Sequence, residues 1–144
     1  MNVTPSKFSG IHIIEPVLFG DARGCFMELW NQDRYQKLIG PLVFVQDNLS
    51  CSSRGVLRGL HFQNPGAQGK LISVLAGEVY DVTVDLRRRS PTFGQWEAFT
   101  LSAANRLQLF IPPGFAHGFQ VVSPSATFLY KCTAAYSPAH EHVL

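Results

Sequence analysis

Glycine and proline recur so often along this chain that only residues 31–38, before Gly40-Pro41, read as a short helical turn. The 12 glycines and 9 prolines cut the rest into short pieces rich in Val, Phe, Leu, Ile and Tyr, the pattern of strands separated by turns. These pieces predict strands at residues 11–14, 26–30, 43–48, 56–63, 70–75, 78–86, 95–101, 107–111, 118–122 and 127–133. Their spacing fits an all-β sandwich or barrel, because alternating βαβ units would need a helical pattern between successive strands. There is no internal repeat, low-complexity tract or linker, so one domain over residues 1–144 is expected. A chain of this size buries roughly 68–70% of its unfolded surface, enough for a real core.

Composition narrows the class of function. Hydrophobic residues make up 46% and charged residues 15%, which excludes a disordered chain and a coiled coil. The net charge of +2 is too balanced for a grip on a phosphate backbone, so no nucleic-acid partner is expected. No apolar run approaches the roughly 18 residues of a transmembrane helix, and the Ile-His-Ile-Ile run at 11–14 is too short for a secretory peptide. Cys25, Cys51 and Cys132 contain no CxxC pair, so neither a disulfide framework nor a zinc knuckle is indicated. The expectation is a cytoplasmic protein with no membrane partner.

Residues 78–86 alternate with unusual regularity. Tyr80, Val82, Val84 and Leu86 form an apolar row, while Asp81, Thr83 and Asp85 share the other face. The apolar row reads as core and the polar row as facing water, a ligand cavity or a partner. Ala76-Gly77 reads as the turn of a hairpin joining 70–75 to this strand.

Two segments carry chemistry-bearing residues: Arg58-Gly59-Leu60-His61-Phe62-Gln63 with Gln68-Gly69-Lys70-Leu71, and Ile111-Pro112-Pro113-Gly114-Phe115-Ala116-His117-Gly118-Phe119. Strand alternation places Arg58 and His61 on opposite faces, so both reach one site only through a bulge, for which Gly59 is the cheapest position. Pro113–His117 is similar to part of the second cupin motif. Metal-binding cupins carry an HxH pair and a later glutamate, but here the pair reads His61-Phe62-Gln63 and Lys70 follows. A lysine ammonium disfavours a divalent cation, and two histidines are a thin ligand set. No metal and no cofactor are therefore expected.

Longer strings make the resemblance specific. FGDARGCFMELWN, VQDNLS, VLRGLHFQ, QGKL, GEVYDVTVDLR, SPTFGQW, LSAANRLQLFIPPGFAHGF and YKCTAAYSP, in this order across residues 8–138, resemble the dTDP-4-dehydrorhamnose 3,5-epimerase family. The resemblance implies a metal-free cupin jelly roll that forms a homodimer, with N-terminal strands completing the partner's site. It implies a dTDP-4-keto-6-deoxy sugar as substrate, dTDP-4-keto-6-deoxyglucose, epimerised at C3 and C5 on the way to dTDP-L-rhamnose. It gives the base role to His61, the enolate-binding cation to Lys70 and the proton donor to Tyr130, with Tyr136 as a second ring near the sugar. Arg58, His117 and the neighbouring subunit's Arg23 are implied for the diphosphate, and Phe26, Glu28, Gln46 and Asn48 for thymidine. The residue types suit the reaction: a histidine titrates near neutrality, and a fixed cation stabilises an enolate oxygen.

Read without the resemblance, Tyr130 is core alongside Phe128 and Cys132, Lys70 a solvated strand end, Arg23 a surface charge and Phe26 a buried ring. Arg87-Arg88-Arg89 reads as a solvated turn, and Asp81 and Asp85 as structural or cavity-lining. The family usually continues beyond the YSP segment with an aspartate that hydrogen-bonds the catalytic histidine. Here the carboxylate after Tyr136 is Glu141, too early to match, so Asp81 or Asp85 is expected to orient His61. The alternatives are a 3-epimerase acting on a related dTDP-4-keto sugar, and a dTDP-sugar-binding jelly roll with impaired catalysis because of the short C-terminus. A metal cupin ranks third.

Overall fold

The computed structural model describes residues 1–144. The strands are β1 (Asn2–Pro5), β2 (His12–Glu15), β3 (Leu18–Asp21), β4 (Gly24–Met27), β5 (Gln46–Ser53), β6 (Leu57–Gln63) and β7 (Lys70–Ala76). They continue as β8 (Glu78–Asp85), β9 (Trp96–Ser102), β10 (Gln108–Ile111), β11 (Phe115–Val121), β12 (Ser125–Cys132) and β13 (Glu141–Val143). One α-helix, α1 (Gln32–Ile39), lies between β4 and β5, and a 3₁₀ turn at Pro138–His140 precedes β13.

A six-stranded sheet in the order β1-β2-β10-β7-β12-β5 faces a five-stranded sheet in the order β13-β6-β11-β8-β9. Strands β3 and β4 form a separate two-stranded ribbon. Every pairing is antiparallel. This is the expected all-β jelly-roll sandwich.

The closed part of the sandwich is apolar. Phe8, Ile11, Ile72, Val79, Leu109 and Phe128 are buried between the sheets with Phe119. The Phe119 and Phe128 rings stack across the gap at 4.0 Å. Residues 71–74 of β7 and all of β10 are buried on both faces, because α1 covers the outer side of the six-stranded sheet. Leu71, Phe110 and Ile14 point outward to meet Tyr35 and Ile39 of the helix, which explains the unbroken apolar runs in these strands.

The helix begins at Gln32, one residue after the expected start. The Asn31 side chain accepts from the Arg34 N–H at 3.1 Å, the usual asparagine cap. At the other end Gly40, with φ 91°, donates its N–H to the Gln36 carbonyl, a left-handed stop that glycine supplies cheaply. Tyr35 then donates to Gln108 at 2.7 Å, tying the helix to β10.

Two expectations about β8 are corrected. Strands β7 and β8 do not form a hairpin: β7 pairs with β10 and β12, whereas β8 pairs with β11 and β9. Ala76-Gly77 instead carries the chain from one sheet to the other, and a Cβ at Gly77 would collide with the Ser125 carbonyl. The faces of β8 are also reversed. Asp81, Thr83 and Asp85 are fully buried, while Tyr80 is 43% exposed on the outer surface.

The polar row can point inward because each carboxylate finds a partner there. Asp81 meets His117, and Asp85 accepts from Arg87, Ser90 and Thr92. Arg87 is accordingly not the solvated residue expected: its guanidinium pairs with Asp85 and covers the Phe115 ring at 4.4 Å. The bulge expected at Gly59 is present. His61 lies opposite His117 and Arg58 opposite Phe119, so three steps on β6 match two on β11. Gly59 has φ 122°, and a Cβ there would lie 2.5 Å from Gly118 Cα.

Candidate active site

At one end the sheets separate around a cavity of about 840 Å³. The six-stranded sheet contributes Gln46 and Asn48 from β5, Lys70 from β7 and Tyr130 from β12. The five-stranded sheet contributes Arg58 and His61 from β6 and His117 from β11. Tyr136 and Glu141 line the rim from the C-terminal segment. Alternation along β5 turns Gln46, Asn48 and Ser50 inward and leaves Leu49 exposed, so an edge strand presents its polar row to the cavity.

The β6 bulge turns Arg58 and His61 to the same side. Arg58 Nε donates to Ser52 Oγ of the opposite sheet at 3.2 Å, and Arg58 enters no ion pair in the chain. His117 Nε2 lies 2.8 Å from Asp81 Oδ2. Burial pushes the Asp81 carboxyl above its ordinary range, with His117 and then Lys70 pulling it back.

Lys70 Nζ sits 5.4 Å from the centre of the Tyr130 ring, a cation–π distance. Burial lowers the Lys70 ammonium, while Cys132, Glu141 and Asp81 oppose that shift. Burial raises the Tyr130 phenol, reinforced by Cys132 and Glu141. A protonated phenol therefore stands beside a desolvated amine, on the sheet opposite the His61 imidazole.

Gln63, which occupies the second position of the histidine pair in metal cupins, is a clamp here. It is buried, donates to the Gly66 and Ala135 carbonyls and accepts from the Ser137 N–H. This holds the loop that carries Tyr136, whose own N–H donates to Gln46 Oε1 at 2.8 Å. The chain contains no cluster of three or more His, Cys, Asp or Glu side chains able to hold a metal. No helix is long and apolar enough to cross a membrane.

A histidine, a lysine and a tyrosine around one cavity are residue types that suit proton abstraction next to a carbonyl. A family model described as dTDP-4-dehydrorhamnose 3,5-epimerase matches residues 5–144. The chain belongs to the dTDP-4-dehydrorhamnose 3,5-epimerase family. The enzyme of that name from Pseudomonas aeruginosa is 53% identical over 145 residues, covering 100% of this chain and 80% of that protein. The Salmonella typhimurium enzyme is 54% identical, covering 98% of this chain and 78% of its own length. The solved structure of the Legionella pneumophila dTDP-6-deoxy-D-glucose-3,5-epimerase, in complex with dTDP-4-keto-L-rhamnose, superimposes with a TM-score of 0.97. It is 53% identical, with 99% of this chain and 77% of that chain covered. The expected isomerase scaffold and jelly roll are therefore those of this family.

Of the residues that the family resemblance singles out, His61, Lys70, Tyr130, Gln46, Asn48, Arg58, His117 and Tyr136 line the cavity. Arg23, Phe26 and Glu28 do not. Arg23 and Phe26 lie on the ribbon, with the Arg23 side chain 91% exposed and held only by Asp21. Phe26 is 68% exposed, not the buried ring expected from the residue alone. Glu28 is ion-paired with Arg34 at 3.1 Å.

The expected orienting partner of His61 is also corrected. Asp81 is held by His117 and Asp85 by Arg87, whereas His61 Nδ1 lies 3.0 Å from Glu141 Oε1. Sequence reasoning missed this because β13 is three residues long and follows a 3₁₀ turn. Nothing in its alternation marks it as a strand returning to β6.

Proposed function

We propose that this epimerase-family chain acts on a dTDP-4-keto-6-deoxy sugar, dTDP-4-keto-6-deoxyglucose, inverting C3 and C5 on the route to dTDP-L-rhamnose. His61 removes the proton from the carbon next to the C4 ketone, and the electron pair moves onto the ketone oxygen as an enolate. Lys70 stabilises that oxygen; the carboxylates of Glu141 and Asp81 favour its charged form. Tyr130 returns a proton to the opposite face of the carbon, and the ketone reforms with the configuration inverted.

The observation that carries this reading is the placement of His61 and Tyr130 on opposite sheets across one cavity. Inversion needs an acid and a base on opposite faces of the planar enolate. The remaining cavity residues divide by chemistry. Arg58 and His117 suit the diphosphate, Gln46 and Asn48 offer amides to the thymidine, and Tyr136 lies against the sugar.

Arg23, Phe26 and Glu28 fit the reading through a homodimer in which each ribbon serves the neighbouring site. The ribbon's exposed Phe19 and Phe26 support a surface that another chain covers. The free thiols of Cys25, Cys51 and Cys132 fit the cytoplasm.

The test is incubation with dTDP-4-keto-6-deoxyglucose in D₂O, following deuterium at C3 and C5, with His61→Ala as the control. Deuterium at both carbons, abolished in the variant, supports double epimerisation. Deuterium at C3 alone makes the chain a 3-epimerase. No exchange with dTDP still bound makes it a binding jelly roll.

A further inference from the structure

The β3–β4 ribbon is joined to the sandwich by two legs, and one residue of β10 meets both. Gln108 pairs across the ladder with Ile14 of β2, on the leg that runs through Pro16 into β3 at Leu18. Its side chain reaches the other leg: Nε2 donates to the Leu29 carbonyl at 2.9 Å, just past the end of β4 at Met27. The same amide donates to Ser73 Oγ of β7 at 2.9 Å and accepts from the Tyr35 hydroxyl of α1 at 2.7 Å.

Nothing about β10 as a strand calls for a glutamine there. Gln108 is 1% exposed, and the rest of the strand is Leu109, Phe110 and Ile111. A buried amide is costly unless its polar atoms are partnered, and an apolar side chain would fill the position without that demand. Here Nε2 and Oε1 are both engaged, and their three partners lie on three separate segments. What the amide adds over a methionine is a fixed geometry among those segments.

Other contacts stiffen the same leg. The Trp30 ring is held between Tyr35 at 4.8 Å and Phe44 at 4.7 Å, and Glu28 pairs with Arg34 at 3.1 Å. Beyond Met27 the support ends: all of β3, and Gly24, Cys25 and Phe26 of β4, are exposed. The ribbon is thus an arm on a clamped root. With four-residue strands it is about 13 Å long, so a tilt of about 10° at the root moves the tip about 2 Å. That is enough to lose a hydrogen-bonded contact.

Resting on the reading in which each ribbon serves the neighbouring subunit's site, we infer that Gln108 is the positioning residue of the ribbon. It lines no part of its own chain's cavity and touches no substrate. It sets the aim of Arg23 and Phe26 at the dTDP of the neighbouring site, so the affinity of each site depends on an amide buried in the other subunit.

The experiment mixes an Arg23→Ala chain with a His61→Ala chain, so that one site of the mixed dimer has both residues intact. That site takes its base from the Arg23→Ala chain and its ribbon from the His61→Ala chain. Gln108→Met is then added to one chain or the other, and deuterium exchange is followed against substrate concentration. On the ribbon-donating chain it is expected to raise KM about 10-fold, the scale of one charge-assisted phosphate contact, with kcat within about twofold. On the base-donating chain KM should stay within about twofold. Tyr35→Phe keeps the ring packing but frees Gln108 Oε1, and should show the same asymmetry at about threefold. It carries the test if Gln108→Met does not fold. Ser73→Ala removes a Gln108 hydrogen bond without freeing Leu29, and should leave KM within about twofold on either chain.

Equal effects from the two placements overturn the inference and make Gln108 a structural amide, because a loosened fold would harm the site of either chain. No effect from either placement overturns it as well. If the parent pair shows no recovery on mixing, the crossing-ribbon reading itself fails and takes the inference with it.

Discussion

The closed and open ends of the sandwich use the same two sheets for opposite purposes. At the closed end the inward residues are Phe8, Ile72, Val79 and Leu109, all 0% exposed. At the open end the inward residues are Gln46, Asn48, Lys70, Arg58 and His61, around a cavity. The first set is packed dry and the second lines open space, because a group cannot be both packed dry and left available to a ligand. The division implies that substitutions at one end should leave the property of the other nearly untouched.

The largest effect is expected at the open end. His61→Ala should lower proton exchange about 10⁴-fold, the upper range for loss of a positioned general base. Its melting temperature should stay close to wild type, since His61 is only half-buried and pairs with a partly exposed carboxylate. Thermal unfolding run beside the exchange assay checks both halves. A large fall in melting temperature would break the division.

The mirror experiment is at the closed end. Leu109 is fully buried and touches neither cavity nor rim. Leu109→Ala should cost about 3 kcal/mol through lost burial and the cavity left behind. The exchange rate of the folded fraction should be unchanged. Urea unfolding gives the first quantity and deuterium incorporation at low temperature the second.

Asp85 sharpens the comparison, because it is a buried charge that serves the fold rather than the cavity. Arg87, assisted by Ser90 and Thr92, holds its carboxyl well below the usual carboxylate range despite burial. A depressed carboxyl contributes stability that is present above its unfolded value near 3.8 and is lost as pH falls towards the folded one. Asp85→Asn should cost about 2 kcal/mol at neutral pH, the scale of charge-assisted hydrogen bonds. It should also flatten the decline in stability below about pH 4. Urea midpoints measured at successive pH values test both.

The fold was readable where local pattern and packing agree. Most of the predicted strands and the Gly59 bulge follow from alternation and the demand that Arg58 and His61 share a site. Alternation misled on β8, because it reveals which residues share a face but not which face is inside. Asp81 and Asp85 point inward only because His117, Arg87, Ser90 and Thr92 meet them there, and those partnerships are set by tertiary structure. The hairpin expected at Ala76-Gly77 failed for a related reason: a turn signal does not say whether the next strand stays in the same sheet. The cavity residues were readable through the family strings, whereas Glu141 was not, because β13 is defined by its pairing to β6 and not by its own three residues.

The smallest single-variant effect concerns a region that belongs to neither end. The β3–β4 ribbon has its own pairing and stands apart from both sheets. Arg23→Ala should leave the melting temperature unchanged, since its side chain is 91% exposed and its partner Asp21 is two residues away. It should weaken dTDP binding about 10-fold, the scale of one charge-assisted contact to a phosphate. Mixing chains makes the consequence decisive. In a homodimer whose ribbons cross, one site of an Arg23→Ala and His61→Ala pair receives both intact residues. That site has His61 from one subunit and Arg23 from the other. Exchange at low substrate should then recover on subunit mixing to well above either variant alone. A ribbon that served only its own chain would give no recovery, and the open end would have to be completed from within a single subunit.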